Sequence, residues 1–347
     1  MTGTSPHVLF IGGTGTISAP AVRLAAERGM SVSVLNRGNN ARRRALPESV
    51  TSLVGDIREP ESVRRAIAGR RFDAVLNFLS YSAEDALQSV ELFGPVTDQY
   101  IHISTASIYH KPILQVPLVE STPRHNPFLR YARDKIAAEN ALMGAFEDRG
   151  FPVTIVRPSH TYDEANPPLP GGWTAVDRMA QGKEIAVHGD GTSLWTLTHA
   201  ADFAVALVGL TANPRAVGEV FHITSNDVYT WDQIYTVLAH ALGVEPRLVH
   251  VPAEFFPLAA PDWAWSELVV GDLSHSAVFD TSKIRRFVPD FRPVITFHRS
   301  ALELAGWREA HPEESRPDPA VDDAITRLVE GHHRARDLFR SLAPGQS

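Results

Sequence analysis

The stretch Val8-Leu9-Phe10-Ile11-Gly12-Gly13-Thr14-Gly15-Thr16-Ile17-Ser18, running on into the helix-forming segment Pro20 to Arg28, decides the fold of this chain. A short apolar run that breaks into glycines and then into a helical pattern reads as strand, tight loop and helix. Such a loop offers free backbone N–H groups and the positive end of a helix to an anion, an arrangement that suits the pyrophosphate of a dinucleotide. Far downstream, Tyr131 and Lys135 lie one helical turn apart, which puts a phenol and an ammonium on one helix face. The ammonium is expected to lower the phenol's pKa, making a phenolate accessible as a base near neutral pH. The loop and the pair together point to hydride-transfer chemistry.

Strands and helices alternate outward from that opening. Strands are predicted at Val8–Ile11, Ser31–Leu35, Ser52–Val54, Ala74–Phe78, Tyr100–Ser104 and Val153–Val156, with helices at Ala19–Arg28 and Glu59–Ala68. The alternation predicts an α/β fold, a Rossmann-type doubly wound parallel sheet with crossover helices. After Pro158 the pattern loosens, and Asn166-Pro167-Pro168-Leu169-Pro170-Gly171-Gly172 is a loop by its turn chemistry. A helix at Asp202–Leu210, a strand at Val220–Ile223 and a helix at Trp231–Leu242 suit a smaller C-terminal lobe over the strands' carboxyl edge. The expected division is 1–160 mainly a dinucleotide-binding domain and 161–310 mainly a substrate-binding lobe, some of whose segments return to the sheet. A polar linker and an amphipathic helix, Val321–Leu342, occupy 311–347.

The 347 residues, 44% of them hydrophobic, can bury a sizeable core, and the net charge of −7 argues against nucleic acid or an anionic membrane as a partner. Cysteine is absent, which excludes disulfides, thiol catalysis and cysteine-ligated metals. The first strand begins almost at the N-terminus and no apolar run reaches transmembrane length, so a soluble cytoplasmic protein is expected. Arg42-Arg43-Arg44 reads as a solvated helix start. His332-His333 point to different helix faces, and no metal site is proposed.

Five elements in register, over roughly residues 7 to 310, resemble the extended short-chain dehydrogenase/reductase family of the NAD-dependent epimerase/dehydratase type. They are the glycine loop, Val54-Gly55-Asp56-Ile57-Arg58, Ile103-Ser104-Thr105-Ala106-Ser107-Ile108-Tyr109, Tyr131-x-x-x-Lys135, and Arg157-Pro158. The resemblance implies NAD or NADP as coenzyme. It implies Tyr131 as acid/base, Lys135 on the nicotinamide ribose, and Thr105 on the reacting hydroxyl. It puts the coenzyme against Gly12, Thr14, Gly15, Thr16, Ile17, Asn36, Arg37, Leu79 and Lys135. Asp56 and Ile57 would flank the adenine, and Pro158 and His160 the nicotinamide. Ser107, His160 and Trp195 would meet the substrate.

Departures from the family pattern matter as much. Ser18 replaces the loop's third glycine, which is expected to push helix and strand slightly apart. Asn36-Arg37 stands where an NAD-selective enzyme carries an acid for the ribose 2′-hydroxyl, so Arg37, with Arg42, suits a 2′-phosphate. Trp195, and Val269-Val270 before Gly271-Asp272, stand where nucleotide-sugar members carry arginines that grip a diphosphate. Ala106-Ser107 replace the Asp-Glu of 4,6-dehydratases, leaving His160, Asp163 or Glu164 as acids for any dehydration. His160 reads equally as a packed loop histidine and Trp195 as a core anchor.

The expected activity is an NAD(P)-dependent epimerase or dehydratase that works on a sugar-type hydroxyl through a transient ketone. A nucleoside or another polyol without a diphosphate is the expected substrate. The alternatives are an NADPH-dependent ketone reductase, a nucleotide-sugar epimerase, or a non-catalytic NAD(P)-binding regulator. A homodimer through helices near Glu84–Val96 and Tyr131–Phe146 is implied by the resemblance alone.

Overall fold

A computed structural model describes residues 5–38 and 44–342; Arg42 and Arg43 lie outside them. Strands β1 (His7–Ile11), β2 (Ser31–Asn36), β3 (Thr51–Val54), β4 (Ala74–Asn77), β5 (Tyr100–Ile103) and β6 (Val153–Pro158) form a wholly parallel sheet. A seventh strand, which Val220–Ile223 supplies late in the chain, extends it to the order seventh–β6–β5–β4–β1–β2–β3. The order reverses between β1 and β4, and ligands bind at such a switch point beyond the strands' carboxyl ends.

Both faces of this sheet are covered, and the strands show why. Val8 and Phe10 project to one side, into a core with helix α1 (Ser18–Glu27). Leu9 and Ile11 project to the other, onto helices α2 (Pro60–Ile67), α3 (Ala83–Phe93) and α4 (Arg130–Arg149). Period-two alternation with both sets apolar is what a doubly covered parallel strand requires.

The segment Ala200–Leu210 also packs on the α1 face through Phe203, Leu207 and Leu210. This helix and the Val220–Ile223 strand read from sequence as parts of the lobe, and here they complete the main sheet. Phe221 and Ile223 are buried, yet a four-residue apolar strand does not say which sheet it will join.

Most of the remaining elements make the lobe; the segment Ser282–Phe287 instead packs against Ala200–Leu210 and Val220–Ile223. Before Ala200 come β7 (His160–Tyr162), helix α5 (Gly172–Ala180), β8 (Glu184–His188) and β9 (Leu194–His199). With helix α6 (Ala200–Leu210) and strand β10 (Val220–Ile223) so numbered, β11 (Val228–Thr230), helix α7 (Trp231–Ala241) and β12 (Arg247–Val251) follow. β7, β9 and β11 form a small sheet, and β8 pairs with β12. Short helices α8 (Phe256–Ala259) and α9 (Ala264–Leu268) lead into one π-helical turn, Val269–Leu273. After α10 (Ser282–Phe287) and α11 (Phe297–Ala310), the terminal helix α12 (Pro319–Leu342) packs across α5, α8, β8 and β12.

Helix α4 carries the Tyr131/Lys135 pair, and its register is fixed from below. Glu139, two turns after Tyr131 and fully buried, receives Nε and Nη2 of Arg157 from β6 at 2.9 and 2.7 Å. Arg124 adds a further bond at 2.8 Å. A bidentate guanidinium–carboxylate pair resists both sliding and rotation of the helix. At the helix end, Gly150 takes a left-handed conformation at φ 67°, which only glycine adopts without strain.

Removing one partner strands a buried charge, so Glu139→Ala is expected to cost about 3–5 kcal/mol in denaturant unfolding. Burial raises the Glu139 pKa, but the Arg157 bonds and charge outweigh it and hold the carboxyl below its ordinary value. A depressed folded pKa stabilises above the unfolded value and loses that stability as pH falls through the folded one. Glu139→Gln is therefore expected to flatten part of the acid limb of a stability-versus-pH curve.

Candidate active site

A groove of about 490 Å³ opens along the carboxyl ends of β1, β2 and β4. Its wall includes Gly12, Thr14, Gly15, Asn36, Arg37, Asp56, Ile57 and Leu79, eight of the sequence-predicted coenzyme contacts. Thr16 and Ile17 do not line it; they lead into the N-terminus of α1, where Ile17 provides no side-chain cap. Ala19 N–H is bonded to the Gly15 carbonyl at 3.0 Å and Pro20 carries none, so of the first three helical positions Ser18 keeps an N–H for an anion.

Two glycines make the approach possible. A Cβ on Gly12, whose φ is 83°, would come within 2.9 Å of Leu79. One on Gly13 would lie 2.8 Å from a Val34 methyl and 3.1 Å from Val22, so Gly13 sets the close packing of loop, strand and helix. Ser18, expected to loosen that packing, is 1% exposed, and its hydroxyl accepts the Gly15 N–H at 2.8 Å. The substitution ties the loop down instead of holding it open.

An adjoining inner pocket of about 220 Å³ is lined by Thr105, Ser107, Tyr131, Pro158, His160 and Trp195, and by Leu268, Asp272 and Phe279 from later segments. Tyr131 and Thr105 stand in the same wall of this pocket. Lys135 departs from expectation. Its ammonium is 2% exposed and donates to the carbonyls of Ser80 and Ile103, both at 2.7 Å, while lying 4.8 Å from the Tyr81 ring centre and 5.9 Å from that of Tyr131. Burial lowers its pKa to about 8.

The phenol was expected to be acidified by this amine, and it is not. Burial pushes Tyr131 up to about 12, with Tyr81 and Asp272 adding to the rise. Desolvation of the phenol dominates, and two of the three Lys135 protons point to backbone carbonyls instead of to the phenol. Free of ligand, Tyr131 is a proton donor at neutral pH.

His160 is pinned against three tryptophans. Trp195 Nε1 donates to its Nδ1 at 2.9 Å, and the rings of Trp195, Trp231 and Trp265 lie 6.1, 6.4 and 6.1 Å away. Burial lowers its pKa to about 4, so the ring is neutral, with Nδ1 accepting and Nε2 carrying the hydrogen. Trp195, 5% exposed, is thereby both a core anchor and a pocket wall. Among the other acids named for dehydration, Asp163 is 2% exposed and ion-paired with Arg44, which accounts for the described member of the arginine cluster.

Sequence reasoning missed Asp272, Lys111, Tyr81 and Arg58. Asp272 and Lys111 form a buried ion pair at 2.7 Å, and Asp272 is the charged side chain in the pocket wall. Gly271-Asp272 was visible only as a landmark, and nothing marked Lys111, some 160 residues earlier, as its partner. Gly271 lets the π-helical turn approach, since a Cβ there would lie 2.8 Å from Leu129 at the start of α4. Asn126 bonds the carbonyls of Ser107 and Gly271, both at 2.8 Å, and so clamps the two walls together. Neither wall supplies an arginine to the pocket lining.

This sheet, groove and Tyr–Lys site define a dinucleotide-dependent enzyme of the Rossmann type. The chain belongs to the NAD dependent epimerase/dehydratase family, whose sequence model matches residues 8–224. It is 29% identical over 291 residues to the 2'-dehydrokanamycin reductase of Streptomyces kanamyceticus, covering 82% of this chain and 80% of that one. It is 27% identical over 265 residues to the chloroplast stem-loop binding protein of 41 kDa b of Arabidopsis thaliana, covering 72% and 67%. In fold it resembles dTDP-glucose 4,6-dehydratase of Bacillus anthracis, solved in complex with NAD, with a TM-score of 0.71, 21% identity, and coverage of 89% and 98%. Among the described residues no helix is long and apolar enough to cross a membrane.

At the far end of the groove, Arg37 and Arg58 line the wall near Asn36, and β2 ends without a carboxylate. Asp56 and Asp85 share this groove with the two arginines, which would face a 2′-phosphate if one is bound. Arg37→Asp is expected to lower the NADPH-to-NADH affinity ratio by roughly tenfold or more, about 1.4 kcal/mol, in a fluorescence titration.

Proposed function

We propose that this protein is an NAD(P)-dependent reductase of a keto group on a small glycoside or polyol that carries no phosphate. The observation that carries the reading is the composition of the inner pocket. A phenol that keeps its proton meets a cavity whose one charge, Asp272, is already neutralised by Lys111, and no cation lines it to hold a diphosphate.

The groove residues fit a dinucleotide: glycines where a Cβ would collide, an uncapped helix N-terminus, and two arginines at the adenosine end. When bound there, the coenzyme supplies the hydride. Gly12, Thr14 and Gly15 would face its pyrophosphate, and Arg37 and Arg58 its ribose end. Tyr131 would give its proton to the substrate oxygen as charge builds there, and Lys135, fixed at the strand ends, would stabilise the phenolate left behind. Trp195, His160 and Phe279 would exclude water and offer apolar faces to a sugar ring.

Direction is argued from protonation and from the acids at hand. Dehydration needs a second free acid, but Asp163 is paired with Arg44, Asp272 with Lys111, His160 is held neutral, and Glu164 does not line the pocket. Reduction needs only Tyr131. The likeness to a reductase over four-fifths of that enzyme's length supports the same direction. The second reading is redox-neutral epimerisation through a transient ketone, and membership of an epimerase/dehydratase family favours it. A nucleoside or a free glycoside fits either reading, because both omit the diphosphate.

Parallel incubations with NADPH and with oxidised NAD or NADP, each with a panel of keto glycosides, sugar nucleotides and their alcohols in D₂O, separate the readings. Stoichiometric loss of NADPH with a reduced product supports the reductase. Turnover with catalytic coenzyme and solvent deuterium beside the reacting carbon supports epimerisation instead. Preference for a sugar nucleotide would sink both. Tyr131→Phe is expected to lower kcat by about 10²–10⁴-fold while NADPH binding stays within about twofold.

A further inference from the structure

His160 faces the inner pocket with hydrogen-bonding roles that a neighbour has already settled. We infer that His160, locked in one tautomer by Trp195, is a specificity-determining residue that offers the substrate a fixed N–H and demands an acceptor oxygen opposite it. The ligand so selected is a glycoside or polyol with an oxygen there, besides the one Tyr131 protonates, and an amine in that place is refused. The inference deepens the glycoside reading of the pocket and rests on it.

An indole N–H donates and has no lone pair to offer. Trp195 Nε1 lies 2.9 Å from His160 Nδ1, so Nδ1 must be the acceptor. A neutral imidazole with a bare Nδ1 carries its hydrogen on Nε2. The other tautomer and the imidazolium would each set an N–H against an N–H and break the Trp195 bond. Burial acts in the same direction, since it holds the ring neutral. Trp195 is not free to swing away. It is 5% exposed, its ring centre lies 5.5 Å from that of the wholly buried Trp231, and its strand β9 is paired on both sides, with β7 and β11. The strand β7 carries His160 itself, beside Leu197 of β9.

Among the described residues nothing accepts the Nε2 hydrogen, yet the atom keeps accessible surface, and the space it reaches is the pocket that His160 lines. Its ring neighbours Trp195, Trp231 and Trp265 present apolar faces, which are poor acceptors. In solution, water can meet this hydrogen. The pocket holds only about 220 Å³, below the roughly 300–1,000 Å³ of drug-sized sites, so one sugar ring entering it displaces that water. A buried donor left unmet loses the whole of its hydration, so the ring must supply the acceptor itself. A hydroxyl or an ether oxygen qualifies. A methylene does not, and an ammonium brings hydrogens without a lone pair. Nor does Asp272 wait for an ammonium, because both its oxygens already hold a donor, from Lys111 at 2.7 Å and from Ser107 at 2.6 Å.

The lock is tested by NMR of the whole enzyme labelled with ¹⁵N-histidine, near neutral pH and without ligand, with His160→Gln identifying the signal. Wild type is expected to show the Nε2–H tautomer. Trp195→Phe, which keeps an aromatic ring and loses the indole hydrogen, is expected to show a mixture of both tautomers. An Nδ1–H or doubly protonated ring in wild type, or a pure Nε2–H form in Trp195→Phe, would overturn the inference.

The selectivity is tested by calorimetric titration of the enzyme, saturated with oxidised NADP, with methyl β-glucoside and with each of its monodeoxy and monoamino derivatives. At one position the deoxy and amino derivatives are both expected to bind about tenfold or more weakly than the parent. That loss is expected to shrink to about twofold or less in His160→Phe and to persist in His160→Gln, which keeps an N–H donor. Binding of the parent with no loss that depends on His160, a loss that vanishes in His160→Gln, or an amino derivative that matches the parent there would overturn the inference and leave the glycoside reading standing. Should no glucoside bind, the glycoside reading fails and takes this selectivity with it.

Discussion

A single buried ammonium organises this molecule. Lys135 has no carboxylate within bonding reach; its donors go to the carbonyls of Ser80 and Ile103, the first just beyond β4 and the second at the last residue of β5. The carboxyl ends of parallel strands leave carbonyls without ladder partners, and buried carbonyls need donors. One lysine answers two of them and draws α4 onto the sheet edge. Desolvation opposes this, as its lowered pKa records. The arrangement persists because Glu139 and Arg157 lock the same helix one turn further on, where the pair is complete and its geometry bidentate.

That division of labour explains why the Tyr131/Lys135 spacing was readable and its electrostatics were not. Four residues apart on a helix guarantees one face, and the motif order guarantees which strands that face meets. The expected acidification of the phenol assumed an ammonium whose protons were free. Which acceptors a lysine finds depends on strand ends some 30 and 55 residues away in sequence, and no local pattern encodes them.

The sheet was legible for a related reason. β1 and β4 show apolar runs because both faces are covered, and β2 carries Val32, Val34 and Leu35 around a buried Ser33, so local signal and tertiary need agree. The lobe was legible only in fragments. Its strands are short, and its tryptophans look alike in sequence whether they pack or bind. Trp231 is wholly buried, with its indole N–H on the Leu273 carbonyl at 3.0 Å, whereas Trp195 presents a face to the pocket. Asp272 lay in plain view beside a glycine, but its meaning comes from Lys111, and a pairing across the chain leaves no spacing to read.

The pocket's charge balance ties these features to specificity. A cavity that accepts a diphosphate needs cations whose fields are not already cancelled, and here Lys111 is cancelled by Asp272 at 2.7 Å. Arg157 is committed to Glu139, and Arg44 to Asp163. These three cations are thus paired within the scaffold, while two protons of Lys135 go to backbone carbonyls. Arg37 and Arg58 escape this, and both stand at the far end of the groove, where a coenzyme's adenosine half would lie. Positive charge is therefore spent on holding the coenzyme and the scaffold, and the reacting end is left neutral and aromatic. A polyol or glycoside, whose hydroxyls exchange water for neutral donors and whose ring rests on apolar faces, loses little on entering such a space. Under the proposed function, a doubly charged phosphate at this end would surrender its hydration without a counter-charge in the pocket wall.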